Sequence, residues 1–162
     1  MKPITITVLG LPKPAGSKRA FVLRGRDGSI RTRANGSPIV NVTDDCKKSK
    51  SWKEQVSQAA YEQTIGDPLS GALLVTMTFI MPRPKGHYGS GKNANTLKAS
   101  APNHPTVKPD VLKLARAAED ALTGIIYKDD AQTVELLVRK RYGSPPRCEI
   151  KIESLAEDKL MD

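Results

Sequence analysis

The sequence lacks any apolar run approaching the roughly 18 residues that a membrane-spanning helix requires. Its N-terminal segment, residues 1–8, also lacks the apolar core and the small-residue cleavage site of a secretory signal peptide. With 38% hydrophobic and 27% charged residues, the 162-residue chain has the composition of a globular protein rather than of a disordered tail. These features predict a single domain, residues 1–162, that resides in the cytoplasm.

Cysteine and aromatic residues are scarce. The two cysteines, Cys46 and Cys148, are too few for a disulfide framework or a zinc site, and in a cytosolic chain we expect both to be free thiols. Aromatic residues make up only 4% of the chain, which supplies few rings for stacking on the bases of a single strand.

Positive charge is plentiful but unevenly distributed. Lys and Arg number 26 against 17 Asp and Glu, giving a net charge of +9. Residues 1–109 carry 17 basic and 6 acidic side chains, whereas residues 110–162 carry 9 basic and 11 acidic ones. The segment from Arg83 to Lys108 contains no acidic residue at all. A polyanion such as nucleic acid is the natural partner of such a surface, although surplus Lys and Arg can also serve only to keep a surface soluble.

Hydrophobic periodicity predicts alternating strands and helices. Breaks at Gly and Pro separate strands near residues 4–8, 20–23, 38–42, 72–81, 132–142 and 148–154 from helices near residues 45–64 and 110–123. Asp44 or Asp45 is expected to cap the first helix, and Gly124 is expected to end the second in a left-handed conformation. The last two strands, joined by residues 143–146, are expected to form a closing hairpin. The predicted fold is an α/β protein of the α+β type, with a small mixed β-sheet packed with two main helices.

Two segments fall outside this alternation. Residues 82–109 contain five Pro residues, many Lys and polar residues and no apolar periodicity, which predicts a long basic loop. Residues 155–162 are expected to form a short C-terminal tail. A loop of this length within one domain is usually functional or disordered.

The second predicted helix combines an apolar stripe with a polar arc. At 100° per residue, the stripe contains Val111, Leu114, Ala115, Ala118 and Leu122. Leu112 falls instead within the polar arc, close to Glu119 and Arg116. Single exposed leucines are common, so packing against a neighbouring element is the simplest explanation.

A pair of carboxylates follows this helix in a short turn, Asp129-Asp130. Adjacent Asp residues often serve only to stabilise a turn, because their side chains accept hydrogen bonds from nearby backbone amides. Carboxylate oxygens are also the ligands that Mg²⁺ or Mn²⁺ prefers, and Asp110 and Asp130 could converge on one ion that activates a water.

The segments Lys108-Pro109-Asp110 to Gly124 and Asp129-Asp130-Ala131-Gln132 resemble the signature of the RusA family of Holliday junction resolvases. That family reads Pro-Asp-x-Asp-Asn-Leu-x-Lys, then Asp-Ala-Leu, then Asp-Asp-x-Gln. The segment of residues 10–19 is similar to the one that follows the first strand in many phage members. The resemblance implies a dimeric phage or prophage endonuclease that nicks opposing strands of four-way DNA junctions with Mg²⁺ or Mn²⁺.

Matched position by position, the resemblance implies catalytic and metal-binding roles for a set of residues of the second helix and the following turn. The implied catalytic residues are Asp110, Asp130, Arg116 and Asp120, and the implied metal ligands are Asp110, Asp130, Asp129 and Glu119. Glu119 enters as a substitute ligand, because Leu112 stands where the family has its second metal-binding Asp. Lys113 and Arg116 replace the family's Asn and catalytic Lys. Arg116 can clamp a phosphate but cannot donate a proton as Lys can.

The departure at Leu112 leaves two functions open, an active junction nuclease and a junction-binding protein with little nuclease activity. A general basic DNA- or RNA-binding protein is the third alternative. In each case phosphates are expected to contact the basic side chains of the first two thirds of the chain and of the second helix: Lys13, Lys18, Arg19, Arg83, Lys85, His87, Lys92, Lys98 and Lys113. His87 and Tyr88 could also touch an unstacked base, although a lone His in a basic loop is more often a solvated bystander.

Overall fold

A computed structural model describes residues 2–16, 18–44, 49–64 and 66–156; residues 18, 19, 43 and 44 are described by their backbone alone. The elements, in chain order, are β1 Ile4–Leu9, β2 Lys18–Val22, β3 Val40–Asp44, α1 Ser49–Gln63, β4 Leu73–Met81, α2 Val111–Leu122, β5 Thr133–Tyr142 and β6 Arg147–Ser154. Short 3-10 turns lie at Lys85–His87, Gly91–Asn93 and Asp130–Gln132. The predicted α+β class is confirmed. Asp44 lies at the end of β3 rather than at a helix cap, and Asp45 and Cys46 lie outside the described residues.

Four strands form a mixed sheet in the order β1-β6-β4-β5. Strands β4 and β5 are parallel, whereas β6 is antiparallel to both β1 and β4. The expected hairpin of β5 and β6 is therefore wrong, because β4 lies between them. The connecting segment crosses the end of β4, where the Gly143 amide donates to the Met81 carbonyl at 3.0 Å. Strand β4 lies at the centre of the sheet, with its inward face fully buried and its other face partly buried.

Strands β2 and β3 pair with each other in a separate two-stranded sheet. Isolated bridges from Arg24 to Ile30 and from Thr32 to Pro38 continue the pairing toward the tip. We call residues 18–44 the β-ribbon. The ribbon exposes several apolar side chains. It carries five arginines, of which four have side chains that the structure describes: Arg24, Arg26, Arg31 and Arg33.

The core lies between one face of the four-stranded sheet and the two helices. On β4 the predicted inward residues Leu73, Val75, Met77 and Phe79 are all fully buried. They pack in one cluster with alternate residues of β1 and β6 and with α1, where Trp52 is buried as its spacing predicts. Burial of this face fixes the register of all four strands, since a shift by one residue would expose it.

Helix α2 buries most of its predicted stripe, while Val111 at its first turn remains partly exposed. Leu112, the residue that breaks the helical pattern, is 70% exposed. Gly124 adopts φ +78°, so the predicted left-handed conformation after the helix is confirmed. The simplest explanation for Leu112 is packing against another element. In the part of the chain that the structure describes, no element buries this side chain.

The basic loop of residues 82–109 is ordered by its own backbone hydrogen bonds. The Gly89 amide donates to the Thr96 carbonyl, and the Lys98 amide donates to the His87 carbonyl. The Arg83 guanidinium lies 4.4 Å from the centre of the Tyr142 ring, which attaches the start of the loop to the end of β5. Of the predicted C-terminal tail, residues 157–162 lie outside the described residues.

Candidate active site

Asp110 occupies the position immediately before α2, in an extended conformation with φ −68° and ψ 139°. Its carbonyl accepts a hydrogen bond from the Leu114 amide at 3.1 Å, but its carboxylate caps no backbone amide. An Asp at this position normally satisfies a free amide of the first turn. The Asp110 carboxylate is instead exposed, with the Lys113 ammonium 3.9 Å away.

A cleft of about 490 Å³ adjoins this carboxylate. Its walls are the segment from Leu11 to Gly16 on one side and residues 108–110 with Lys113 on the other. The Ala15 amide donates to the Lys113 carbonyl at 2.8 Å, which joins the two walls. The cleft thus gathers Lys13, Lys108 and Lys113 around Asp110. In the sequence, Lys108 belongs to the basic segment that begins at Arg83. Only the fold shows that it lines the same cleft as Asp110.

Arg116 lies one turn further along α2 and attaches the helix to the same wall. One of its terminal nitrogens, Nη2, donates to the Gly16 carbonyl at 2.8 Å. A guanidinium has five N–H donors, so the remaining donors of this exposed side chain can still bind a phosphate.

Asp120, the second expected catalytic carboxylate of α2, forms an ion pair with α1. Its Oδ2 lies 2.6 Å from the Lys53 ammonium, and both side chains are partly exposed. The Ser57 hydroxyl on α1 also donates to the Ala121 carbonyl at 2.9 Å. This ion pair gives Asp120 a structural role, because it links α2 to α1.

Glu119 lies in the last turn of α2, and Asp130 follows the helix in the turn before β5. Partial burial raises the pKa of the half-buried Glu119 carboxyl, and the negative charges of Asp130 and Asp120 raise it further. Burial raises the pKa of Tyr127, and the negative charges of Glu119 and Asp130 raise it further. The Tyr127 hydroxyl donates to the Glu119 carbonyl at 3.4 Å. Accumulated negative charge at this end would be relieved by a cation.

Three of the four residues of the Asp-Asp-x-Gln motif, Asp129, Ala131 and Gln132, take part in the hydrogen bonds of a turn. The Asp129 carboxylate accepts from the Ala131 amide at 2.8 Å, and Gln132 Oε1 accepts from the Lys128 and Asp129 amides at 2.9 and 3.1 Å. Together these bonds form a capping box. The Asp129 carboxylate therefore serves to stabilise the turn, whereas the Asp130 side chain is exposed and makes no bond of the capping box.

Within the described segments, these carboxylates do not come together as a site that fits a divalent ion. Asp110 precedes α2, whereas Glu119 is nine residues further along the chain, a rise of about 13 Å at 1.5 Å per residue. Ligand oxygens of one Mg²⁺ lie only about 2.1 Å from the metal. Among the described residues, no three Asp, Glu, His or Cys side chains are grouped to hold a metal ion.

The expected DNA-binding residues of the basic loop divide into two groups. Arg83 donates to the Pro102 carbonyl at 2.8 Å, and the Lys98 ammonium donates to the Gly86 carbonyl at 2.9 Å. His87 packs edge-on against Tyr142, with the ring centres 5.5 Å apart. These three side chains help to fold the loop. Lys85 and Lys92 are exposed cations of the loop tip.

Two further expected contacts, Lys18 and Arg19, belong to β2, but their side chains lie outside the described residues. Lys140 was not expected to matter, yet its ammonium donates to the Val107 and Pro109 carbonyls at 2.7 and 2.8 Å. It fixes the end of the basic loop beside Asp110. No sequence signal distinguishes Lys140 from its basic neighbours on β5, because its partners are backbone atoms 31 and 33 residues away.

No helix within the described segments has the length and hydrophobicity needed to cross a bilayer. A family model described as Endodeoxyribonuclease RusA matches residues 28–153. The chain is also 31% identical over 156 residues to an uncharacterised protein, YqaN, of Bacillus subtilis strain 168, covering 96% of this chain and 99% of the relative.

Proposed function

The chain belongs to the RusA endodeoxyribonuclease family, and on this premise we propose that it resolves four-way DNA junctions by hydrolysing phosphodiester bonds in two opposing strands. The family implies a junction-resolving endonuclease acting on branched DNA. Nucleases of this family are generally dependent on a divalent metal, and Mg²⁺, with Mn²⁺ as a substitute, is the proposed ion. We further propose that the protein acts as a homodimer in phage or prophage DNA processing in the bacterial cytoplasm.

The observation that best supports this proposal is the cleft beside Asp110. It combines one exposed, uncapped carboxylate with the ammonium groups of Lys13, Lys108 and Lys113. Three cations around one carboxylate suit a phosphate that must be held while the carboxylate serves at the reacting centre.

The proposed DNA contacts surround this cleft. Lys13 and Lys113 hold the phosphate nearest to Asp110, and Arg116 uses its remaining donors on a neighbouring phosphate. Lys85 and Lys92 of the loop tip bind the backbone of an adjacent arm. Such contacts provide affinity without sequence information, so selectivity for a junction would come from its shape.

A nicking assay on a mobile four-way junction tests the proposal. We expect symmetric nicks with Mg²⁺ or Mn²⁺ and none in EDTA, with a linear duplex left intact. Asp110→Asn and Asp130→Asn are each expected to lower the nicking rate by at least 100-fold, roughly the loss expected for a group that acts at the reacting centre. Glu54→Gln, an exposed carboxylate on α1, is the matched control and should cut at the wild-type rate. If both Asp variants also cut at that rate, the site assignment is wrong.

A junction-binding protein with little nuclease activity is the second candidate. It is favoured by one observation, the exposed Leu112 at the position where the family has a metal-binding Asp. This candidate predicts selective binding of the junction over a linear duplex, with no product in either metal. Equal affinity for junction and duplex, with a steep loss of affinity in salt, would instead indicate a general basic nucleic-acid-binding protein.

A further inference from the structure

The cleft beside Asp110 is larger and more apolar than a phosphate site requires. Its volume of about 490 Å³ lies in the range of clefts that hold a small organic molecule. Cations and backbone amides are enough to bind a phosphate, so the apolar part of the lining needs a different explanation. Six of the residues that line the cleft are apolar: Leu11, Pro12, Pro14, Ala15, Met81 and Pro109.

Hydrogen bonds to the backbone hold these apolar walls in place. The Ala15 amide donates to the Lys113 carbonyl at 2.8 Å, which joins the first wall to α2. On the other wall, the Pro109 carbonyl accepts from the Lys140 ammonium at 2.8 Å. Met81, the last residue of β4, also lines the cleft and is only 9% exposed. Walls that are already ordered lose little conformational entropy when a ligand packs against them.

Charged side chains complete the lining. Lys13, Lys108 and Lys113 all line the cleft, and the Lys113 ammonium lies 3.9 Å from the Asp110 carboxylate. Three lysines against one aspartate favour an anionic ligand. The ligand that matches both parts of the lining has an anionic group and a flat apolar body. A nucleotide has both, because its phosphate is charged and its base has two flat faces that stack.

The base of a nucleotide in DNA can enter such a cleft only after it leaves the stack of the duplex. Enzymes that bind an unstacked base hold it between aromatic or apolar side chains. Unstacking costs least where a base is already poorly paired, which favours DNA with a branch point over an intact duplex. We propose that the cleft binds one unstacked nucleotide of the DNA, with its base against the apolar walls and its phosphate against the lysines.

The role of this nucleotide rests on the proposed nuclease function. Asp110, which that function places at the reacting centre, lines the same cleft. A base held in the cleft would fix which phosphodiester bond lies beside the Asp110 carboxylate. The cleft would then set the position of the cut relative to the branch point, whereas Lys85 and Lys92 of the loop tip contribute affinity alone.

The fluorescent base 2-aminopurine, whose emission is quenched by stacking, tests the proposal in a four-way junction. It is placed in turn at each position near the branch point, and binding is measured in EDTA so that no strand is cut. We expect the emission to rise severalfold at one position relative to the branch point, and not in a linear duplex. The described residues that line the cleft include no aromatic side chain, so the cleft itself would not quench the emission.

The variant Leu11→Ser assigns the unstacking to the cleft. Leu11 is 40% exposed, so this change removes an apolar contact with the base without opening the core. It should reduce the rise in emission at least about twofold. Leu9→Ser is the matched control, because Leu9 is also an exposed leucine but lines a different depression, with Gln55 and Gln58 of α1. No rise at any position with the wild type, or an equal rise with Leu11→Ser, would overturn the proposal.

A free 2-aminopurine deoxyribonucleoside monophosphate separates the two possible sources of a nucleotide. If its fluorescence anisotropy rises with the wild type but not with Leu11→Ser, while the bases of the junction stay stacked, the cleft binds a free nucleotide and the proposal for DNA is wrong.

The failure of this proposal is distinguishable from the failure of the nuclease proposal. Nicking of the junction without any rise in emission would leave the nuclease proposal standing and overturn the unstacked nucleotide. A rise in emission that depends on Leu11, without nicking in either metal, would leave the unstacked nucleotide standing and overturn the nuclease proposal.

Discussion

Two residues of α2 show how a single side chain can carry functional information. Leu112 breaks the helical pattern in the sequence and is exposed in the fold, so burial does not account for it. Asp110 occupies a capping position without capping, so helix stability does not account for its carboxylate. Neither core packing nor helix capping therefore explains these two side chains.

Gln132 provides the clearest prediction at this scale. Its Oε1 accepts from the amides of Lys128 and Asp129, and its Nε2 donates to the carbonyls of Leu69 and Gly71 at 3.0 and 3.1 Å. It thereby joins the turn before β5 to the segment before β4. Gln132→Ala is expected to lower the free energy of unfolding by about 1–3 kcal/mol, measured by urea denaturation, because it leaves several backbone groups without partners.

Gln58 on α1 is a suitable control for this change. Its Nε2 donates only to Glu62 one turn away, at 3.2 Å on an exposed surface. Gln58→Ala should therefore change the free energy of unfolding by less than about 0.5 kcal/mol. Equal effects of the two substitutions would contradict the structural role given to Gln132.

At the scale of elements, the β-ribbon presents three exposed arginines, Arg26, Arg31 and Arg33. Arg24, by contrast, donates to the Gly28 carbonyl of the tip at 2.9 Å. Asp27 is the acidic residue of the tip. Its Oδ1 accepts hydrogen bonds from the hydroxyl and the amide of Ser29 at 2.7 and 3.1 Å. These bonds lower the pKa of Asp27. A two-stranded ribbon of this kind is narrow enough to enter the major groove of DNA.

The ribbon prediction concerns the salt dependence of junction binding. Replacing Arg26, Arg31 and Arg33 together by Gln is expected to weaken binding, because up to three phosphate contacts are lost. The slope of log K against log salt should fall by about 2 to 3, which fluorescence anisotropy on a labelled junction can measure. Lys50→Gln on α1 should leave the slope unchanged, and an unchanged slope in the triple variant would remove the ribbon from the interface.

At the scale of the whole molecule, both helices and the four-stranded sheet share one apolar cluster. The single Trp, Trp52, lies in this cluster with 2% of its surface exposed. Its indole N–H makes no hydrogen bond, so its contribution to stability comes from packing.

Trp52 should therefore report the unfolding of the entire core. We expect urea transitions followed by Trp52 fluorescence and by far-ultraviolet circular dichroism to coincide, as for a two-state domain. A fluorescence transition clearly separate from the dichroism transition would show that α1 and its side of the sheet unfold independently of α2.

Much of the fold follows from the sequence alone, because hydrophobic periodicity and Gly or Pro breaks are local signals. They placed β1, β4 and α2 within one or two residues of their observed bounds, and they marked Leu112 as a misfit. The motif of residues 108–132 likewise predicted the family that the comparison found. The charge division near Lys108 predicted a basic portion and an acidic portion, but not their positions in space.

The tertiary structure decided what depends on contacts between distant residues. The insertion of β4 between β5 and β6 could not be predicted from their short connection, because strand order depends on contacts between strands that are distant in the sequence. Asp110 lies immediately before α2, whereas the negative charge of Asp130 acts on Glu119 in the last turn of that helix. Sequence determines which side chains are present and on which element, whereas the packing of elements determines which of them can share one ion.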